Sequence, residues 1–203
     1  MPNRCCLCIT DYKEIYPSID GKSFEASRNV ACVGNNFVPL IWFSMFKAED
    51  LIEAKFESNI QETGDLVEVK APLALKNKVL DTMQENRNFF NNLFEKNGGL
   101  EHHFDLFQNY LREFSGNYVT IEMDEISWLY PKEYFYQQYK DCLNSIERRS
   151  SKCFNFIVEA STVIIDRRFV RLEEARNDYI QQEDIWNYFR IMGDRYLKNV
   201  PWS

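Results

Sequence analysis

Three features of the sequence predict a helix-rich α+β domain with a small β-sheet. Tyr118 to Met123 alternates Val119, Ile121 and Met123 with Tyr118, Thr120 and Glu122, the period of a half-buried strand. Two long stretches with helical spacing, Pro72 to Phe94 and Leu100 to Phe114, are separated only by the stop signal Asn97-Gly98-Gly99. No internal repeat, low-complexity tract or linker interrupts residues 1–203, so one domain is expected, with residues 150–203 a helical extension of the same core.

In chain order, Arg4 to Thr10 reads as a first strand, and Asp11 to Ser23 as a polar loop with Pro17 and the turn dipeptide Asp20-Gly21. Ser27 to Val33 follows as a second strand, ended by Gly34-Asn35-Asn36. Pro39 opens a short apolar helix over Leu40 to Phe46, and Ala48 to Phe56 is expected to continue as acidic helical turns. Leu66 to Lys70 alternates apolar and charged residues as a half-exposed strand does.

In the first long helix Leu73, Lys76, Leu80, Met83, Arg87, Phe90 and Phe94 fall on one three-four repeat. In the second, Leu100, His103, Phe104, Phe107, Leu111 and Phe114 share a face, and the short connection predicts antiparallel packing. Pro131 can open another helix carrying Phe135, Tyr139, Cys142, Leu143 and Ile146. Ser150 to Tyr179 fits a broken helix, with a strand at the β-branched run Thr162 to Ile165 as the alternative. Asp184 to Leu197 is expected as a final amphipathic helix.

Composition narrows the function. The 203 residues include 16 Phe, 11 Tyr and 4 Trp, enough apolar surface to offset chain entropy and exclude a disordered chain. Lys plus Arg number 24 against 31 Asp plus Glu, a net charge of −7 that argues against a nucleic-acid partner. Met1 to Cys8 lacks the apolar run of a signal peptide, and no stretch reaches the roughly 20 apolar residues of a spanning helix. A cytoplasmic protein without a membrane partner is expected. Its six cysteines (5, 6, 8, 32, 142, 153) are then read as reduced and mostly core, since none has zinc-ligand spacing.

Most chemical motifs fail on inspection. Asp20-Gly21-Lys22-Ser23 matches the tail of a phosphate-binding loop, but the glycine needed five residues before Gly21 is Tyr16. His102 and His103, being adjacent, diverge by about 100° on a helix and cannot chelate as an i, i+4 pair does. Glu122, Asp124, Glu125 and Glu133 gather after the good strand and offer an acid–base pair, yet acidic residues there also serve as caps and helix-dipole partners. No metal or cofactor is expected.

Charge distribution is more informative. Glu49, Asp50, Glu53, Glu57, Glu62, Asp65 and Glu68 stand against a single Lys55. Such a run is either a solvated face or an acidic docking surface that steers a basic partner. Trp42, Trp128, Tyr130, Trp186 and Trp202 are available as core residues or as interface anchors.

The opening Met1-Pro2-Asn3-Arg4-x-x-Leu7-x-x-x-Asp11 resembles an uncharacterised bacterial family that begins Met-x-Asn-Arg and enters a strand at once. Pro39-Leu40-Ile41-Trp42 with the acidic turn to Leu51, and the strand from Tyr118 leading to Tyr134 and Phe135, are similar to that family's pattern. The likeness covers about the first 145 residues and departs at Cys5, Cys6 and Cys8. Proteins of this type resemble those encoded beside secreted or contact-dependent toxins. The resemblance thus implies a non-enzymatic immunity protein that occludes a cognate toxin's active site. Charge pattern places the contact at Glu49, Asp50, Glu53 and Glu57, with Glu62 and Asp65 at the rim. The alternatives are a small enzyme, in which Glu122, Asp124 or a cysteine converges with His103, and a scaffold or regulatory binding protein.

Overall fold

The computed structural model describes residues 3–15, 28–57, 66–95, 99–131, 133–161, 185–195 and 200–202. Its strands are β1 (Arg4–Thr10), β2 (Arg28–Asn35), β3 (Leu51–Glu57), β4 (Leu66–Leu75), β5 (Tyr118–Glu122) and β6 (Asp194–Arg195). Its helices are α1 (Lys76–Leu93), α2 (Glu101–Arg112), α3 (Asp124–Ser127), α4 (Tyr134–Glu147), α5 (Phe154–Ala160) and α6 (Ile185–Met192). Single 3₁₀ turns occupy Leu40–Ser44, Ala48–Asp50 and Ser151–Cys153. The α+β class read from the sequence is the class observed.

The strands form one antiparallel sheet in the order β3-β4-β5-β1-β2-β6. Alternation sends Cys5, Leu7 and Ile9 of β1 to the same face as Val119 and Ile121 of β5, into the main core. That core also takes in Trp42, Phe90, Phe104, Tyr139, Ile157, Met192 and Trp202, so residues beyond 150 belong to it. Cys6 and Cys8 point the other way, against Val30 and Val33. All six cysteines are free thiols, and all but Cys6 are buried, as a small apolar side chain in a core is. Where β1 passes from Leu7 opposite Cys32 to Cys8 opposite Val30, Ala31 is the extra residue of a bulge. The bulge carbonyl is satisfied by the Tyr110 hydroxyl of α2, 2.8 Å away.

Helices α1 and α2 are antiparallel: Gln108 donates to the Leu80 carbonyl, while Phe90 meets Phe104 edge-on and Arg87 bonds Glu101 and Asp105. The chain needs Gly99 just before α2, at φ +72°, where a Cβ would clash with the Asn91 amide oxygen. That same oxygen accepts from the Leu100 amide. The predicted core of α4 (Phe135, Tyr139, Cys142, Leu143, Ile146) is buried in full.

Four sequence expectations are corrected. The segment after Lys47 is a 3₁₀ turn and then strand β3, not helix, because Ile52 and Ala54 alternate with outward Glu53 and Lys55 against β4. The strand from Leu66 runs on to Leu75, and α1 starts at Lys76, where the amide donates to the Asn117 carbonyl. Pro72, expected to open that helix, marks where β4 leaves β3 (Leu51 opposite Pro72) and joins β5 (Leu73 opposite Thr120). A residue without an N–H fits such a change of partner. The buried face of α1 is Val79, Thr82, Met83, Asn86 and Phe90, rotated from the expected stripe since Leu73 lies in the strand. Finally, α6 stops at Met192; Gly193, at φ +96°, turns the chain so that β6 pairs with Cys32 and Val33. Residues Ser151–Ala160 are helical as expected, whereas Thr162 to Ile165 lie outside the described residues.

Candidate functional site

The acidic segment divides into residues with different roles. Asp50 closes the turn after Lys47: one carboxylate oxygen accepts from the Lys47 amide at 2.8 Å and the other from Lys78 Nζ at 2.6 Å. Its side chain is only 7% exposed, so Asp50 is an internal strut and not available as the surface contact read from charge pattern. Glu49 is 71% exposed and also accepts from Lys78, which holds its carboxyl below the usual carboxylate range. Glu53 projects from β3 and Glu57 is the last residue of that strand. Glu62 and Asp65 lie outside the described residues, as does the loop Asp20 to Ser23.

Pairing with β4 sets cations against this segment that are not visible in the linear charge run. Register puts Glu53 opposite Lys70 and Lys55 opposite Glu68. Lys70 Nζ lies 2.8 Å from Glu133, 2.9 Å from Glu68 and 3.6 Å from Glu53. Glu133 first, and then Glu68, raise the Lys70 pKa. Lys47 pairs with Glu85 nearby. What survives is a moderate negative balance, with the exposed carboxylates of Glu49, Glu53 and Glu133 at its edge.

Beside β3 and the N-terminus of α4 opens a cleft of about 630 Å³, lined in part by Ile52, Glu53, Lys70, Glu133, Tyr134 and Gln137. Glu133 precedes α4 with φ 63°, a left-handed conformation that brings its side chain back to Lys70. The turn before the helix exposes Trp128 at 60% and Leu129 at 38%, and the first helical residue, Tyr134, is 43% exposed. Tyr134 stacks on Tyr130, their ring centroids 6.2 Å apart. Of the tryptophans proposed as anchors, Trp42 and Trp202 are core residues, each donating its indole N–H to a backbone carbonyl around Gly193. Sequence reasoning did not single out Lys70, named Glu133 only among the carboxylates after the good strand, and named Tyr134 only in the family resemblance. The signal that could have found Lys70 was the period-two alternation from Leu51 to Glu57, which demands a partner strand.

The groups proposed for catalysis do not converge. Glu122 is buried with Cys8 Sγ 3.6 Å from its Oε1, on the sheet face opposite the main core. Asp124 accepts from the Tyr136 hydroxyl at 2.8 Å. His103 sits on α2, its ring against Tyr188 of α6 at 5.1 Å. No group of three or more His, Cys, Asp or Glu side chains is placed to hold a metal among the described residues.

Burial, with a smaller contribution from His102, lowers the His103 pKa from 6.5 to about 4. The folded state therefore keeps this ring neutral while the unfolded chain protonates it. Below pH 6.5 that difference destabilises the fold; the loss deepens as pH falls to about 4 and is then complete, at most about 3 kcal/mol. An NMR titration is expected to find His103 neutral at pH 6, and His103→Phe is expected to flatten the stability profile between pH 6.5 and 4.

No helix among the described residues is long and apolar enough to cross a membrane. Comparison with protein-family models, with curated proteins and with solved structures finds no match.

Proposed function

We propose that this chain is a non-enzymatic binding protein of the cytoplasm, an immunity protein that occludes the active site of a cognate bacterial toxin bearing a basic surface. The observation that supports this reading is the juxtaposition, at one cleft, of exposed carboxylates with exposed apolar anchors. Glu53 and Glu133 line that cleft and supply charge to steer a basic partner, and Tyr134 beside them supplies area to retain it, while Glu49, Trp128 and Leu129 are exposed outside its lining. The contact is accordingly narrowed from the charge run to its exposed members. Asp50 supports the surface from beneath. No cofactor enters this reading.

The test is affinity capture of the tagged protein from its native source at low and high salt, with mass spectrometry of what is retained. A single stoichiometric partner, toxic when expressed alone and neutralised by co-expression, is expected. With that partner, Glu49→Lys combined with Glu53→Lys is expected to slow association by about tenfold at low salt, with less effect at high salt. Tyr134→Ala is expected to act on dissociation instead. Unchanged binding in both variants would remove this face from the interface, and capture of no partner would remove the immunity reading.

A further inference from the structure

Strand β3 ends the sheet, and among the described residues it pairs only with β4. Natural edge strands are usually blunted by a bulge, a proline, extreme shortness or charged side chains, lysine above all. Of these Leu-Ile-Glu-Ala-Lys-Phe-Glu has only the charges: it keeps unbroken register with β4 over seven residues and contains no proline, and its charges are of both signs. Its outer row of backbone N–H and C=O groups is a template for another strand.

The sequence of β3 specifies which strand. We propose that β3 pairs with β3 of a second copy of this chain, antiparallel about a twofold axis through Ala54. In that register Glu53 lies opposite the second copy's Lys55 and Lys55 opposite its Glu53, so each charge pair occurs twice, while Ile52 falls opposite Phe56. The neighbouring twofold registers are penalised. One centred on Glu53 sets that carboxylate against itself, and one centred on Lys55 sets two ammonium groups together. A slip by one residue places the charged face of one copy beside the apolar face of the other. Glu53 and Lys55 are 48% and 60% exposed, so both are accessible to a second molecule. The twofold axis runs perpendicular to the sheet, so the two clefts lie on the same side of a sheet continuous through both copies.

Analytical ultracentrifugation of the purified chain at low salt, over micromolar to millimolar concentration, tests the pairing without any toxin. Its failure therefore leaves the proposed toxin contact standing. The wild type is expected to dimerise. Glu53→Lys and Lys55→Glu each turn both charge pairs repulsive and are expected to weaken self-association by roughly tenfold or more. Mixing these two variants in equal amounts restores opposite charges in this register, and a heterodimer of wild-type strength is expected; its recovery also shows that both variants are folded. A monomeric wild type, a dimer indifferent to both substitutions, or a mixture no tighter than its components would each overturn the proposal.

Discussion

Trp42→Ala is expected to destabilise the fold by about 4 kcal/mol, the range for removing a fully buried aromatic side chain. Trp42 has no exposed surface, and its indole N–H donates to the Met192 carbonyl at 3.0 Å. The loss therefore combines a cavity with an orphaned carbonyl at the end of α6. Gly193 makes the same contact from the other side: a Cβ there would stand 2.9 Å from the Trp42 ring and 3.1 Å from Cys32 Cβ. For a chain of this length, urea and thermal unfolding should register a drop in Tm of roughly 10 °C. Trp42→Phe should lose less and reveal the hydrogen bond, through faster amide exchange confined to α6 and β6. A fall below 1 kcal/mol in Trp42→Ala, or equal loss of protection across all strands in Trp42→Phe, would contradict this picture of the C-terminal docking.

Asp50→Ala is expected to cost about 2–3 kcal/mol, mostly through what it leaves behind. The Lys47 amide loses its acceptor, and Lys78, partly shielded from water, loses its nearer carboxylate. Asp50→Asn should recover the amide bond but not the charge and fall between. Adding Lys78→Met to Asp50→Ala should return part of the stability, because an apolar chain has no unmet charge. A double variant as unstable as the sum of the singles would show that the Asp50–Lys78 pair is not coupled. Glu49→Ala, on the exposed neighbour of the same lysine, should leave stability essentially unchanged.

The fold was legible where one face of an element is consistently apolar. Val119 and Ile121 in β5 and the Phe135–Ile146 stripe of α4 needed no tertiary information. It was misread where local signals competed with long-range pairing. Glu49 and Asp50 at the head of an apolar run resemble a helix start, but Ile52 and Ala54 find their cover far along the chain, in a cluster of Val69, Ala71 and Leu73 of β4 with Ile15. Pro72 resembled a helix opener because nothing local says that a strand changes partner there. Gly193 was a stop signal in plain view, after the last periodic residue of α6. At the candidate site, the carboxylates were visible as a charge run, but their neutralising lysines arrive through strand register and helix packing. Burial of Asp50 could not be read from its sequence neighbours, which are exposed or half-buried.

The position of β1 has a consequence for how the chain is made. Strand β1, made before every other strand described, lies inside the sheet, flanked by β2 and by β5, whose residues follow more than a hundred positions later. Trp42 waits longer, since its hydrogen-bond acceptor is Met192, 150 residues on. The nascent chain can pair β1 with β2 early, but the β1 edge that β5 covers, and the apolar face of Cys5, Leu7 and Ile9, stay without their native cover until residues 118–122 have been added. Pairings this distant in sequence slow folding and lengthen exposure to aggregation. Yield of folded protein should accordingly respond to translation rate and to chaperone supply more than its equilibrium stability would indicate.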